Sequence, residues 1–386
     1  MNKLRAHWKE NKSIWTLIAI LFIATRLALF IGGYVSLTYL PHPGYQIVDA
    51  QIAAAHPYAH MWVVWDSNWY IKIATNGYAD SIPFTPSKNT TIGFFPLYPS
   101  LMSVVELVTR DYLLAGMFVS NFFLILSAFL LYKIVRFDHD EAFAKRCIWY
   151  LFLFPSAYIF SAVYPESMVF CFWLASILFA RKGIWPAAGL IGVLAALVKP
   201  QGFLIVIPLA LIWLKAHVSD SWRPSSIIYS IRPSMFFALL PPLGLAIWAG
   251  ACYYMTGDAL AYSHVQQGAW HHYFSTPLHV LYQNLFNGPD YLFNSLTVIV
   301  ALVILAFGYK KIPFSYWAFA LAGTLFNATT GGVIGSWRYL ASVFPFLIIL
   351  AAWGKKDSAD RALISSMAIF QGCMFVFWVA GYWFTS

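Results

Sequence analysis

Four charged side chains stand in apolar or aromatic surroundings. Asp66 is a lone acid in "MWVVWDSNWYIKIATNGY" (61–78), framed by Trp62, Trp65, Trp69 and Tyr70. Glu166 lies in "FPSAYIFSAVYPESMVF", beside Tyr164 and Pro165. Lys199 interrupts "AALVKPQGF", and Arg338 follows the glycine-rich turn of "GGVIGSWRYLASVFPF". A carboxylate among aromatic rings is partly desolvated, which raises its proton affinity and suits a general base. Cations at membrane depth are costly and mark functional sites, and a glycine-rich turn presents backbone N–H groups to an anion. Each residue also has a structural reading. Asp66 can cap the helix that "SNWYIKIA" predicts. Glu166 can sit in a polar turn or complement the dipole of a helix it starts. Lys199 can snorkel to the interface. The residue types alone leave these readings open.

The elements that must position these groups are apolar. The chain has 386 residues, 60% hydrophobic, 19% aromatic and only 10% charged. A soluble domain carries about 25% charged residues, so composition alone reads as a membrane protein. The net charge of +9 fits basic residues gathered in loops on one side of a bilayer, and nucleic-acid binding is not expected. A spanning helix needs about 20 mainly apolar residues. Eleven runs meet that expectation: 14–38, 112–135, 143–161, 164–181, 184–199, 201–217, 234–255, 291–308, 313–331, 337–354 and 362–384. The runs 184–199 and 201–217 abut at "VKPQG", as a tight hairpin or two broken halves. The segment 94–109 reads as an interfacial helix, because the charged "TRDY" follows it directly. The basic, then apolar, N-terminus has no cleavage pattern and reads as a retained first helix.

With the N-terminus cytoplasmic, 18 of the 24 basic residues, Arg223 among them, fall in inner loops or the N-terminus and five in outer segments. That asymmetry supports both the count and the orientation. The long outer segments are 39–111 and 256–290, so the elaborated surface faces the non-cytoplasmic side. No internal repeat or separate soluble domain is visible, and residues 1–386 read as one transmembrane domain.

The second outer loop, "AYSHVQQGAWHHYFSTPLH" (261–279), holds His264, His271, His272 and His279, with Gln267 beside the first. Their spacing puts no clean pair on one helix face, so hydrogen-bonding roles are expected before metal ligation. His264 and Gln267 are candidate substrate contacts. The four cysteines form no CxxC pair and read as buried small hydrophobes. Asn89–Thr90–Thr91 is a sequon of low specificity. One face thus gathers an aromatic-framed acid, a second acid, two cations and a polar loop. That set suits a reaction between a lipid-linked phosphate and a polar acceptor, with the aromatics against sugar faces.

The order "WDSNWYIKIATNGY", "GFFPLYPSL", "FPSAYIFSAVYPESMVF" and "GSWRYLASVFPFLIILA" resembles the PIG-V mannosyltransferase family, multi-spanning glycosyltransferases of the GT-C type. The similarity runs from the first span to about residue 354. At "LVKPQGF" relatives often carry Thr-Arg-x-x-G, so the role of Lys199 does not carry over from the family. The resemblance implies an all-α GT-C-like bundle that transfers mannose from a polyprenyl-phosphate (dolichyl-type) donor to a lipid-linked or otherwise membrane-accessible acceptor. It implies Asp66 as the catalytic base. The chain is shorter than the eukaryotic members that build GPI anchors and lacks obvious eukaryotic insertions. That favours a prokaryotic relative in the plasma membrane, with the ER membrane as the eukaryotic alternative, and an acceptor that need not be a GPI precursor.

On that reading an acceptor hydroxyl, deprotonated by Asp66, displaces the lipid phosphate with inversion, as one base without a nucleophilic partner predicts. Glu166 orients hydroxyls, and Arg338 with Lys199 stabilises the leaving phosphate. Trp65, Trp69, Tyr70 and Tyr164 frame the site. No obligatory metal or other cofactor is expected. Two other classes are compatible with the residues: a transporter of lipid-linked saccharides, and a non-catalytic subunit of a glycosyltransferase complex. The transporter would show duplicated halves and charges near the midplane.

Overall fold

The computed structural model of the chain describes residues 2–41, 50–218 and 232–385, the side chains of residues 2–11 and of Ala50 excepted. Arg223 lies outside the described residues, as do the side chains of the N-terminal basic residues before Lys12. Among the described residues there are eighteen α-helices, several 3₁₀ turns and no strand. They are α1 (Asn2–Tyr39), α2 (Ala50–Ala55), α3 (Ser67–Asn76), α4 (Leu97–Thr109), α5 (Tyr112–Val135) and α6 (Glu141–Leu153). Next come α7 (Glu166–Arg181), α8 (Trp185–Val198), α9 (Val206–His217), α10 (Pro233–Ala238), α11 (Leu243–Thr256) and α12 (Ala261–Gly268). The last are α13 (Pro277–Asn284), α14 (Pro289–Gly308), α15 (Phe314–Thr329), α16 (Ser336–Tyr339), α17 (Pro345–Trp353) and α18 (Asp357–Val379).

Five segments are long and apolar enough to cross a bilayer unaided: Lys12–Tyr39, Tyr112–Val135, Pro200–His217, Pro289–Lys311 and Asp357–Val379. The pair Ser336–Ser342 and Pro345–Trp353 makes a sixth if taken as one span bent by 80°. With the composition, these mark a membrane protein. The remaining apolar runs are not single full-length helices. The run 143–161 stops as a helix at Leu153, ahead of Pro155, and continues as a 3₁₀ turn over Ala157–Phe160. The run 234–255 divides into α10 and α11 around Pro241–Pro242, where the missing proline N–H interrupts the ladder. Hydropathy registers apolar length, and these prolines decide where a helix stops.

The short helices share a pattern. α6, α7, α8 and α17 have 13, 16, 14 and 9 residues, hence about 20, 24, 21 and 14 Å of rise against about 30 Å of hydrocarbon. α7 starts at Glu166, α8 ends just before Lys199, and α17 follows the turn that carries Arg338. α6 leads through its 3₁₀ turn to Tyr164. The truncated ends therefore meet where the charged residues are. At the far end of α7, Arg181 holds Asp138 at 2.7 Å, and on α6 Arg146 and Tyr150 both donate to Asp360.

Between α1 and α5, residues 59–109 form a layer of short helices and turns over the truncated ends. Its connector Met61–Val64 is buried and packs into the main core, and Trp62 O accepts from Val163 N at 3.0 Å. The later outer segment docks on this layer through a small cluster of Ile92, Phe95, Trp248, Cys252, Ala261 and Val265. Gly93 is required there: a Cβ on it would come within 2.5 Å of the Trp270 ring. Cys147, Cys171 and Cys252 are buried as expected, whereas Cys373 is exposed on α18.

Candidate functional site

Asp66 immediately precedes α3 in the position of an N-cap, yet its side chain caps nothing. Its φ/ψ of −65°/−14° is already helical, which turns the carboxylate away from the helix's first N–H groups. The preceding Trp65 has φ of 59°, a left-handed conformation that a tryptophan rarely adopts. Such strain persists where surrounding contacts over-determine it. Here Tyr164 supplies two of them: its hydroxyl donates to Val64 O and accepts from Asp66 N, each at 2.9 Å. Trp65 itself stands edge-on to Trp383.

Thus aimed, Asp66 meets Arg338. Nη2 donates to Asp66 Oδ2 at 2.6 Å and to the Tyr339 hydroxyl at 3.2 Å, while Nη1 donates to the Tyr164 hydroxyl at 3.3 Å. The guanidinium lies between the Tyr164 and Tyr339 rings, 5.1 and 5.0 Å from their centroids, in reach of cation–π attraction. Its Nε is 3.6 Å from Glu166 Oε1, an electrostatic contact too long for a hydrogen bond. Glu166 Oε1 accepts from Lys199 Nζ at 2.7 Å, and Lys199 lies 4.3 Å from the Tyr339 ring centroid. The four charged residues therefore form one chain: Asp66, Arg338, Glu166, Lys199.

Local structure explains each placement. Lys199 is extended (φ −154°, ψ 153°) at the break between α8 and the 3₁₀ turn Pro200–Ile205. Pro200 prevents α8 from continuing, and Gly202 lets the turn fold back, since a Cβ there would lie 1.8 Å from Ala195 O. Arg338 sits on the single turn α16, which follows Gly335 at φ 84°. Asn327 donates to Ile334 O and Ser336 Oγ, and Asn294 accepts from Trp337 N, so the turn is tied to α15 and α14. Glu166 is the first residue of α7, where an acid complements the helix dipole.

The chain runs from buried to open. Glu166 is 1% exposed, Lys199 10%, Arg338 9% and Asp66 33%. Among the described residues the hydrogen bond to the Asp66 carboxylate is the one from Arg338 to Oδ2. Glu166 Oε2 and Arg338 Nε are buried without a hydrogen-bond partner, which is rare for such groups and leaves an acceptor and a donor free inside the site.

The aromatic residues singled out in the sequence surround this chain. The Tyr70 ring is edge-on to Tyr164, Tyr98 and Phe94, and Trp69 stacks on Phe94 and meets Trp270 edge-on. His264 and Gln267 are not brought to the four charges: His264 Nδ1 pairs with Asp258 Oδ2 at 2.6 Å, and Gln267 is exposed. The neighbouring Gln266 faces inward, donating to Gly93 O at 3.1 Å and meeting His272 Nδ1 at 2.8 Å. Burial pushes the His272 imidazole below its usual value, with the Asp66 charge acting in the opposite direction. Tyr339 and Gln266 had no individual signal in the sequence, and His272 was one of four loop histidines that residue type does not rank. Tyr339 stands out only as the immediate neighbour of Arg338.

Residues 42–218 match the family model described as Mannosyltransferase (PIG-V), a stretch containing Asp66, Glu166 and Lys199 but not Arg338. That match bears out the resemblance read from the motifs and supports a glycosyltransferase. No curated protein matches the chain. Crystal structures of the Archaeoglobus fulgidus oligosaccharyltransferase are similar at 13% identity. The one tethered with an acceptor peptide containing the NVT sequon is covered over 56% of its length by 97% of this chain, with a TM-score of 0.47. The complex with Zn and sulfate is covered over 53% by 92% of this chain, with a TM-score of 0.43. This chain thus spans just over half the length of those structures.

Proposed function

We propose, with the PIG-V match over residues 42–218 as premise, that the chain transfers mannose from a polyprenyl-phosphate donor to a membrane-accessible acceptor. The observation that carries this reading is the convergence of Asp66, Arg338, Glu166 and Lys199 on one chain of ion pairs, open only at Asp66. On this reading the helices form a GT-C-like bundle. On the same reading the site, where the truncated helix ends meet, lies on the non-cytoplasmic side.

The acceptor hydroxyl gives its proton to Asp66 Oδ1, while Oδ2 stays fixed by Arg338. The hydroxyl oxygen bonds to the anomeric carbon as the bond from that carbon to the phosphate oxygen breaks. The polyprenyl phosphate departs with the electron pair. A single base with no second carboxylate in nucleophile position favours inversion, by analogy with inverting hydrolases. Glu166 Oε2, buried and unpartnered, suits a sugar hydroxyl as donor. Arg338 and Lys199 each hold a carboxylate, so they act on the leaving phosphate through a neutral cluster. Water exclusion by the aromatic layer over the site strengthens these interactions.

The test uses detergent-purified protein with polyprenyl-phosphate mannose and candidate glycolipid acceptors. Release of polyprenyl phosphate, coupled to a mannosylated product, is the expected result. Movement of the saccharide between leaflets of proteoliposomes with no bond cleaved would replace this reading with a transporter.

A further inference from the structure

The quartet is electrically balanced when all four groups are ionised, so both of its cations already have acidic partners. Another cation nearby has none. Arg26 sits midway along the apolar segment Lys12–Tyr39 of α1. Its Nη1 donates to Ser161 Oγ, and Ser161 donates to Asn121 Oδ1 at 2.6 Å. The guanidinium also lies 6.0 Å from the Phe152 ring centroid. Among the described residues no acid pairs with it, and its Nε and Nη2 are buried with no hydrogen-bond partner. These two nitrogens form the side-on edge of the guanidinium. That edge presents two parallel N–H groups, the fork that matches two oxygens of a phosphate or carboxylate. An ionised side chain at mid-span without a partner is expensive and points to a function. The transfer chemistry above makes no use of it.

The surroundings indicate what reaches this edge. On α1, Ile23 and Leu27 are 64% and 58% exposed, and on α5, which packs against α1, Phe118 and Phe122 are 58% and 53% exposed. The two helices that carry Arg26 and Asn121 thus turn apolar faces outward, as toward lipid, so an anion arriving between them carries an apolar tail. A phosphate has enough oxygens to occupy the fork and still meet the Ser161 hydroxyl. Ser161 belongs to the segment whose Val163 pairs with Trp62 O and whose Tyr164 clamps Asp66. A group held at Arg26 thus lies one strip of chain away from the open end of the quartet.

We propose that Arg26, with Ser161 and Asn121, binds the phosphate of a membrane lipid that approaches between α1 and α5. Resting on the transferase reading, that lipid is the polyprenyl phosphate. A bilayer phospholipid offers the same phosphate chemistry, and the experiment separates the two.

Purified wild type, Arg26→Gln and Arg26→Lys are compared by native mass spectrometry with a polyprenyl monophosphate, the matching polyprenol and phosphatidylglycerol. Wild type is expected to retain polyprenyl phosphate over polyprenol. Arg26→Gln should weaken that retention about tenfold or more, the scale of a lost charge-assisted pair. Arg26→Lys should fall between, because an ammonium keeps the charge and loses the fork. Arg26→Gln removes an uncompensated buried charge, so its melting temperature without lipid is expected to hold or rise. Equal retention of polyprenyl phosphate by wild type and a folded Arg26→Gln overturns the assignment to the polyprenyl lipid, as does its absence from wild type. If phosphatidylglycerol alone is lost in Arg26→Gln, the site belongs to a bilayer phospholipid. Sugar transfer by Asp66→Asn tests the transferase reading separately, so either idea can fail without the other.

Discussion

Arg338 Nη2 and Asp66 Oδ2 meet at 2.6 Å across 272 positions of sequence. This contact joins the first outer layer to a one-turn helix near the other end of the chain. It fixes one carboxylate oxygen of a side chain that is a third exposed. Under the proposed function, a base held by one oxygen has a defined direction in which to accept a proton.

The first prediction concerns that carboxylate. Asp66→Asn keeps the shape and one hydrogen-bond acceptor but removes the base. Mannose transfer from polyprenyl-phosphate mannose in membranes is expected to fall about 10²–10⁴-fold, the usual contribution of general base catalysis. The melting temperature should fall modestly, because Arg338, 9% exposed, keeps an amide acceptor but loses its charged partner. Transfer near the wild-type rate would remove Asp66 from its assigned role.

Tyr164 is the clamp on both partners. Its hydroxyl meets Val64 O, Asp66 N and Arg338 Nη1. Tyr164→Phe leaves three buried polar groups short of a partner, at about 1–3 kcal/mol in stability. Releasing the Trp65–Asp66 turn should lower kcat about ten- to a hundredfold through misplacement of the carboxylate. The donor KM should move far less, since the hydroxyl is not aimed at substrate. A change confined to KM would assign Tyr164 to binding instead.

The four charges could be picked out one by one in the sequence, because ionised side chains beside apolar runs need a reason to be there. Their pairing could not. Glu166 and Lys199 are 33 positions apart, and Asp66 and Arg338 far more. No periodicity reports which distant loop meets which. The two readings left open for Asp66, cap or cavity, differ only in backbone angles around Trp65, which the residue types do not determine. Apolar length likewise does not separate full-length helices from truncated ones. Pro155, Pro200 and Pro345 were visible, but whether each bends a helix or ends it depends on what packs on the freed carbonyls. Residue type alone favours His264 and Gln267 in the polar loop, whereas the fold turns Gln266 and His272 toward Gly93 and each other.

The pair Lys199–Glu166 permits a coupling measurement. It is almost fully buried, so Glu166→Gln or Lys199→Met alone leaves an uncompensated charge, and each is expected to destabilise by about 3–5 kcal/mol. The double variant should destabilise by clearly less than the sum, since neither charge is then stranded. Denaturant unfolding of the solubilised protein closes the cycle. Additive losses would mean that the two side chains do not act as a pair.

Asp80 gives the pH dependence of the outer layer. It binds Lys72 Nζ at 2.6 Å and accepts from the Thr91 hydroxyl and backbone N–H. Burial pushes its carboxyl up, but the hydrogen bonds from Lys72 and Thr91 outweigh this and hold it below its usual value. A folded-state pKa below the unfolded one means the stabilisation is fully present above the unfolded value, about 3.9. It is lost as pH falls through the folded value. Asp80→Asn should therefore melt lower than wild type at pH 7, and the gap should close as pH drops below about 4. The effect should also reach the site, because Thr91 and Ile92 lead directly into Gly93 and Phe94, on which Trp270 and Trp69 pack. A melting gap of constant size between pH 7 and pH 3 would show that Asp80 contributes through packing and not through its charge.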